Sequence, residues 1–169
     1  MHNCLVGSEM CIRDSDLATL LTAIEGTSVR SLCGLTEGQT VADFSGQNLG
    51  PMDMKIMAAE YEFQGFIAVL TSINCLANQF GDDDLATLLT AIEGTSVRSL
   101  CGLTEGQTVA DFSGQNLGPI DMKIMAAEYG FQGFIAVVNS VTVDSTGDLR
   151  NPKTYRLAAG QETFELSKM

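Results

Sequence analysis

"LTSINCLANQF" (Leu70–Phe80) is the stretch on which the reading of this chain turns. Its spacing is Leu-x-x-Ile-x-Cys-x-x-Asn-x-Phe. Ile73 and Cys75 are two residues apart, so a short extended segment would point both to one face. The pattern recurs in the same chain. "VNSVTVDSTGDL" (Val138–Leu149) carries it with Thr146 in the asparagine place, and "ADFSGQNL" (Ala110–Leu117) with Gln115 there. "FELSKM" (Phe164–Met169) begins it once more.

Helical segments separate these strings. In "DDDLATLLTAIEG" (Asp82–Gly94), Leu85, Leu88, Leu89 and Ile92 fall at i, i+3, i+4 and i+7, one apolar stripe of a helix. Three aspartates stand at its start, where the helix dipole favours them, and Gly94 supplies the stop. A second helix is predicted from "LGPIDMKIMAAEYG", with Pro119 at its first position, Asp121 in its first turn and Gly130 at its end. On a larger scale, Asp16–Val69 and Asp84–Val137 align at an offset of 68, with two differences in 54 positions: Met52 against Ile120, and Glu62 against Gly130. This is a recent duplication or an assembly error, and the repetition points to a solenoid or array.

The Leu70–Phe80 string resembles the leucine-rich-repeat consensus, L-x-x-L-x-L-x-x-N/C-x-L, at every defining position. With "SLCG" and "SGQNLG", the chain is similar to the ribonuclease-inhibitor-like, strand–helix type, in the divergent long arrays of unicellular eukaryotes. The resemblance implies an α/β solenoid, with a curved parallel sheet on the concave side and helices on the convex side. Ile73, Cys75, Ala110, Phe112, Val141 and Val143 would line the inside of one ribbon. Asn78 would cap backbone groups of adjacent turns, and Phe80 would start the return path. Units are expected to be cut at Asp16 and Met169, leaving apolar core edges uncapped. Unit length is irregular: the inward positions step by 31 from Ala110 to Val141 and then by 23 to Phe164. Leu100 to Ala110 is only ten residues, less than a parallel crossover normally takes. Either the return is compressed there, or "SLCG" and "VADF" form a local hairpin.

Residues 1–15 stand apart. They lack a basic region, an apolar run and any periodicity, and Leu5–Ser15 resembles the translation of a sequencing-library adapter, so the fold is read from residues 16–169. The only histidine, His2, lies in the excluded segment with Cys4 and Cys11. The remaining cysteines, Cys33, Cys75 and Cys101, are odd in number and form no Cys-x-x-Cys, so neither a disulfide framework nor a zinc site is expected. Free thiols and the lack of an Asn-x-Ser/Thr sequon favour a reducing, cytoplasmic setting. A net charge of −12 opposes binding to nucleic-acid phosphates or anionic lipid, and no apolar run is long enough to span a bilayer.

Without histidine in residues 16–169, Ser-His-Asp, Cys-His and His-ligated metal chemistry have no residues to work with. "GLTEGQT" lacks the P-loop lysine. "DSTGDLRN" (Asp144–Asn151) has calcium-loop spacing at Asp144, Thr146 and Asp148 but lacks the sixth-position glycine and the terminal glutamate. No enzyme, cofactor or metal is therefore expected. Strand alternation instead defines an outward set: Ser72, Asn74 and Leu76; Ser99, Cys101 and Leu103; Val109, Asp111 and Ser113; Ser140, Thr142 and Asp144; Thr163, Glu165 and Ser167. It holds hydroxyls and carboxylates and no lysine or arginine, which suits a basic protein surface. The expected contact residues are Asp43, Asp111, Thr142, Asp144 and Glu165, serving a protein-interaction scaffold. A regulatory segment of a larger signalling enzyme and a purely structural spacer are the other readings.

Overall fold

The computed structural model describes residues 14–62, 65–144 and 154–158. The elements are α1 (Asp14–Ile24), β1 (Val41–Asp43), α2 (Pro51–Glu62), β2 (Ser72–Asn74), α3 (Asp82–Ile92), β3 (Val109–Asp111), α4 (Pro119–Gly130), β4 (Ser140–Asp144) and β5 (Thr154–Ala158). Single 3-10 turns at Phe66–Val69 and Phe134–Val137 lead into β2 and β4. The chain is mixed α/β. Both predicted helices form for the expected reasons. Leu85, Leu88 and Ile92 are buried along α3, and Pro119 opens α4. The third residue of each helix caps it, as Asp84 Oδ2 accepts Gly81 N at 2.8 Å and Asp121 Oδ2 accepts Gly118 N at 2.6 Å.

Two β–α–β units give the parallel pairs. β1 lies beside β2 with Ala42 opposite Ile73, and β3 beside β4 with Ala110 opposite Val141. Each crossover carries a helix, as parallel neighbours require. Arg98–Gly102 runs along the other edge of β2: Ile73 N donates to Ser99 O at 2.8 Å, Cys75 N to Leu100 O at 3.0 Å, and Gly102 N to Ile73 O at 2.9 Å. "SLCG" therefore pairs with β2 and forms no hairpin with β3. Only glycine fits at 102, where φ is +75° and a Cβ would stand 2.9 Å from Asn74 Cβ.

The expected single, all-parallel ribbon is corrected in two respects. Strand pairing falls into two sheets, β1–β2 and β3–β4–β5. The break lies between Cys101 and Val109, a connection too short for a crossover helix and bent by Gly106 at φ +76°. β5 pairs antiparallel to β4, with Val141 opposite Leu157, because the nine residues 145–153 are again too few for a parallel return. One apolar core nevertheless runs under both sheets. It holds Ala42, Ile73, Cys75, Leu100, Ala110 and Phe112, with Val141 and Val143 partly buried against it.

Polar groups tie the units together. Asn78 is buried, as expected of a cap: its Oδ1 accepts Leu49 N at 2.9 Å, and its Nδ2 donates to Phe44 O at 2.8 Å and Cys75 O at 3.0 Å. The buried Glu128 of α4 holds the "SLCG" segment. Its Oε2 accepts Leu100 N at 2.8 Å, Cys101 N at 3.2 Å and Ser99 Oγ at 3.1 Å, while Oε1 accepts Ile135 N at 3.1 Å. Glu60 makes only part of this set in the first copy, its Oε2 accepting Leu32 N at 2.8 Å and Cys33 N at 2.9 Å while its buried Oε1 has no partner. Asp121 adds a lateral tie, its Oδ1 accepting Ala77 N at 2.7 Å.

Candidate functional site

The alternation of β1 and β3 sends Ala42 and Ala110 into the core and leaves Val41, Asp43, Val109 and Asp111 exposed. Asp111 lies opposite Thr142 in the β3–β4 register, and Asp144 follows two residues along β4 on the same side. Thr142 and Asp144 are half-buried. Three of the five predicted contact residues thus come together on adjacent strands. Asp43 lies on the other sheet, opposite Asn74. Glu165 lies outside the described residues, as do Thr163 and Ser167.

These carboxylates also shape their own loops. Asp43 Oδ1 accepts Ser45 N at 3.0 Å and Ser45 Oγ at 2.7 Å, and Asp111 Oδ1 accepts Ser113 N at 3.0 Å, both closing Asx-turns. Asp144 Oδ2 accepts Gly114 N across the β3–β4 pair. The aspartates are therefore held in fixed orientation by backbone donors.

The outward set is narrower than expected. Leu76, Ser99, Cys101 and Leu103 are buried, and so are Ser72 and Ser140. The reason lies in the "SLCG" geometry: Ser99 turns toward Glu128 of α4, so this segment is enclosed on both sides and presents no solvent face. The register also places Arg156 of β5 opposite Thr142, a basic residue at a sheet position where none was expected. What remains is exposed on two separate sheets, Val41 and Asp43 on β1 and, on the other, Val109 and Asp111 on β3 beside Thr142 and Asp144 on β4.

The thiols belong to the packing. Cys75 and Cys101 are buried and Cys33 is half-buried, so Cys101 does not face outward as expected. Burial raises all three thiols, that of Cys75 to about 12, and Glu60 beside Cys33 and Glu128 beside Cys101 push in the same direction. Among the described residues no group of three or more His, Cys, Asp or Glu is arranged to hold a metal, and no helix is long and apolar enough to cross a membrane. Two clefts lie at equivalent places on the helical side. One of about 440 Å³ is lined by Leu21, Ile24, Arg30 and Ala59, and one of about 710 Å³ by Leu89, Ile92, Arg98 and Ala127. They mark where successive helices splay.

The sequence reading missed the carboxylate locks. A signal was present: Asp121, Ile124, Met125 and Glu128 are spaced i, i+3, i+4 and i+7, which puts two acids on the core stripe of α4. No protein-family model, curated protein or solved structure matches this chain.

Proposed function

We propose that the chain is a leucine-rich-repeat protein of the strand–helix type and works as a protein-interaction scaffold. The β1, β3 and β4 faces would receive a partner with a basic surface. Support for the family comes from the two 31-residue β–α–β steps, Ala42 to Ile73 and Ala110 to Val141, and from Asn78 bonded both to the preceding turn, at Phe44 and Leu49, and to its own, at Cys75. The observation that carries the function is the juxtaposition of Asp111, Thr142 and Asp144 on paired strands, with the exposed Val109 beside them. Fixed carboxylates next to apolar area supply charge complementarity and contact area together. The free thiols of Cys33, Cys75 and Cys101, the cysteines among the described residues, fit a cytoplasmic setting. The acidic balance fits neither nucleic acid nor anionic membrane.

Charge reversal tests the proposal. A lysine- and arginine-rich peptide should bind the native chain and lose affinity as salt is raised. Asp111→Lys with Asp144→Lys should weaken it about tenfold, roughly 1.4 kcal/mol, with the far-UV spectrum kept. Unchanged affinity in the double variant would move the binding surface to the convex or lateral face.

A further inference from the structure

The cleft between α3 and α4 has an origin in the sequence. α2 packs directly against α3, but the unit between α3 and α4 is the short one, and its Leu103–Thr108 segment carries no helix. α3 and α4 are joined at their N-terminal ends, where Lys123 Nζ donates to Asp82 Oδ1 and Oδ2 at 2.6 and 2.7 Å. Toward their C-terminal ends they part and leave the cleft of about 710 Å³, within the range of small-molecule sites. Its floor is apolar, with Leu89 and Ile92 of α3, Val97, Ala127 of α4 and Phe131.

One cation stands over this floor. Arg98 Nη1 donates to Thr95 O at 3.1 Å and Val97 O at 2.7 Å, which fixes the guanidinium against its own loop. Those bonds leave Nε and Nη2, the edge that grips a carboxylate through two parallel bonds. Among the described residues Arg98 makes no ion pair, not even with Glu93 at the same rim. The first copy supplies a comparison. Its α1–α2 cleft has Arg30 held in the same way, Nη1 donating to Thr27 O at 3.3 Å and Val29 O at 3.0 Å, and Glu25 in the place of Glu93. It differs at the end of the helix: Glu62 lines the first cleft, and Gly130 replaces it in the second copy. The first cleft thus sets two carboxylates against its arginine, and the second sets one.

We propose that the α3–α4 cleft binds an organic carboxylate with an apolar body, the acid group on Arg98 and the body on the Leu89, Ile92, Val97 and Phe131 floor. The α1–α2 cleft, smaller and with the added charge of Glu62, rejects the same ligand by repulsion. The site lies on the helical side and is independent of the partner proposed for the sheet face.

Titration of isotope-labelled full chain with decanoate, up to about 1 mM and followed by amide shifts, tests it in the range expected for so small a ligand. Shifts should saturate at one equivalent and centre on Leu89, Val97 and Phe131. Arg98→Gln should weaken binding about tenfold. Gly130→Glu restores the first copy's carboxylate and should weaken it by a similar factor. A Cβ at Gly130 meets nothing within 4 Å, so this variant keeps the test alive should Arg98→Gln fail to fold. Arg30→Gln should bind like the native chain. No saturating shift, equal shifts in both clefts, affinity unchanged by Gly130→Glu, or an equal loss in Arg30→Gln would overturn the proposal.

Discussion

Glu60 and Glu128 are the same residue of a repeated sequence, and the structure predicts unequal consequences for removing them. Truncation of Glu128 to alanine strips the partner from Leu100 N and Ile135 N outright and leaves Cys101 N with only Ser99 Oγ at 3.2 Å. The segment is buried: Ser99 and Leu100 are 0% exposed and Cys101 3%. Two buried donors without partners, at about 1–3 kcal/mol each, give a loss of about 2–6 kcal/mol. At Glu60 the counterparts Leu32, Cys33 and Ser31 are half-buried, so water can replace the lost acceptor, and Cys33 N keeps Ser31 Oγ at 3.2 Å. Glu60→Ala should cost about 1 kcal/mol. Urea unfolding followed by far-UV circular dichroism reads both, with the shift in midpoint compared at constant slope. Equal shifts, or a larger shift for Glu60→Ala, would refute the argument that neighbour packing makes the second lock the stronger one.

Three further outcomes follow from the same geometry. Asn78→Ala removes the cap that joins Phe44, Leu49 and Cys75, and should destabilise by about 2–4 kcal/mol in the same urea assay. Gly102→Ala should cost about 1–3 kcal/mol more than Gly34→Ala: both have φ near +75°, but only at 102 does the new methyl meet Asn74, while nothing lies within 4 Å at 34. The thiols make stability fall in alkali. Burial raises the folded Cys75 from 9.0 to about 12 and also raises Cys33 and Cys101, so the unfolded chain ionises first. The thiol contribution is fully present below about pH 9 and is lost as pH rises through the folded values, at up to about 1.4 kcal/mol per pH unit for each thiol. Equal urea midpoints at about pH 8 and about pH 10.5 would contradict this burial.

Local pattern was legible where it is self-contained. The i, i+2 spacing of Ile73 and Cys75 places both in the core, and the leucine stripe of α3 and the Pro119–Asp121 start of α4 read directly. Asn78 was recognisable because its partners lie in neighbouring turns that share the pattern. What failed depends on groups distant in sequence. Ser99 and Cys101 alternate like surface residues, yet Glu128, 29 and 27 residues away, encloses them. β5 carries none of the repeat's spacing and joins β4 because the link is too short for any other return. The interruption between the two sheets has the same origin in the short Cys101–Val109 connection. In the candidate site, the strand alternation read Asp111 as outward, and it is exposed, opposite the half-buried Thr142. It gave no sign that Asp43, Asp111 and Asp144 each accept a backbone N–H, since such turns are set by backbone geometry.

The most direct measurement of the central claim is a nuclear magnetic resonance titration of isotope-labelled chain with the lysine- and arginine-rich peptide. Amide shifts should concentrate in β1, β3 and β4, strongest around Asp43, Asp111 and Asp144, and vanish at high salt. Shifts confined to α1–α4, or spread evenly over the acidic surface, would contradict it.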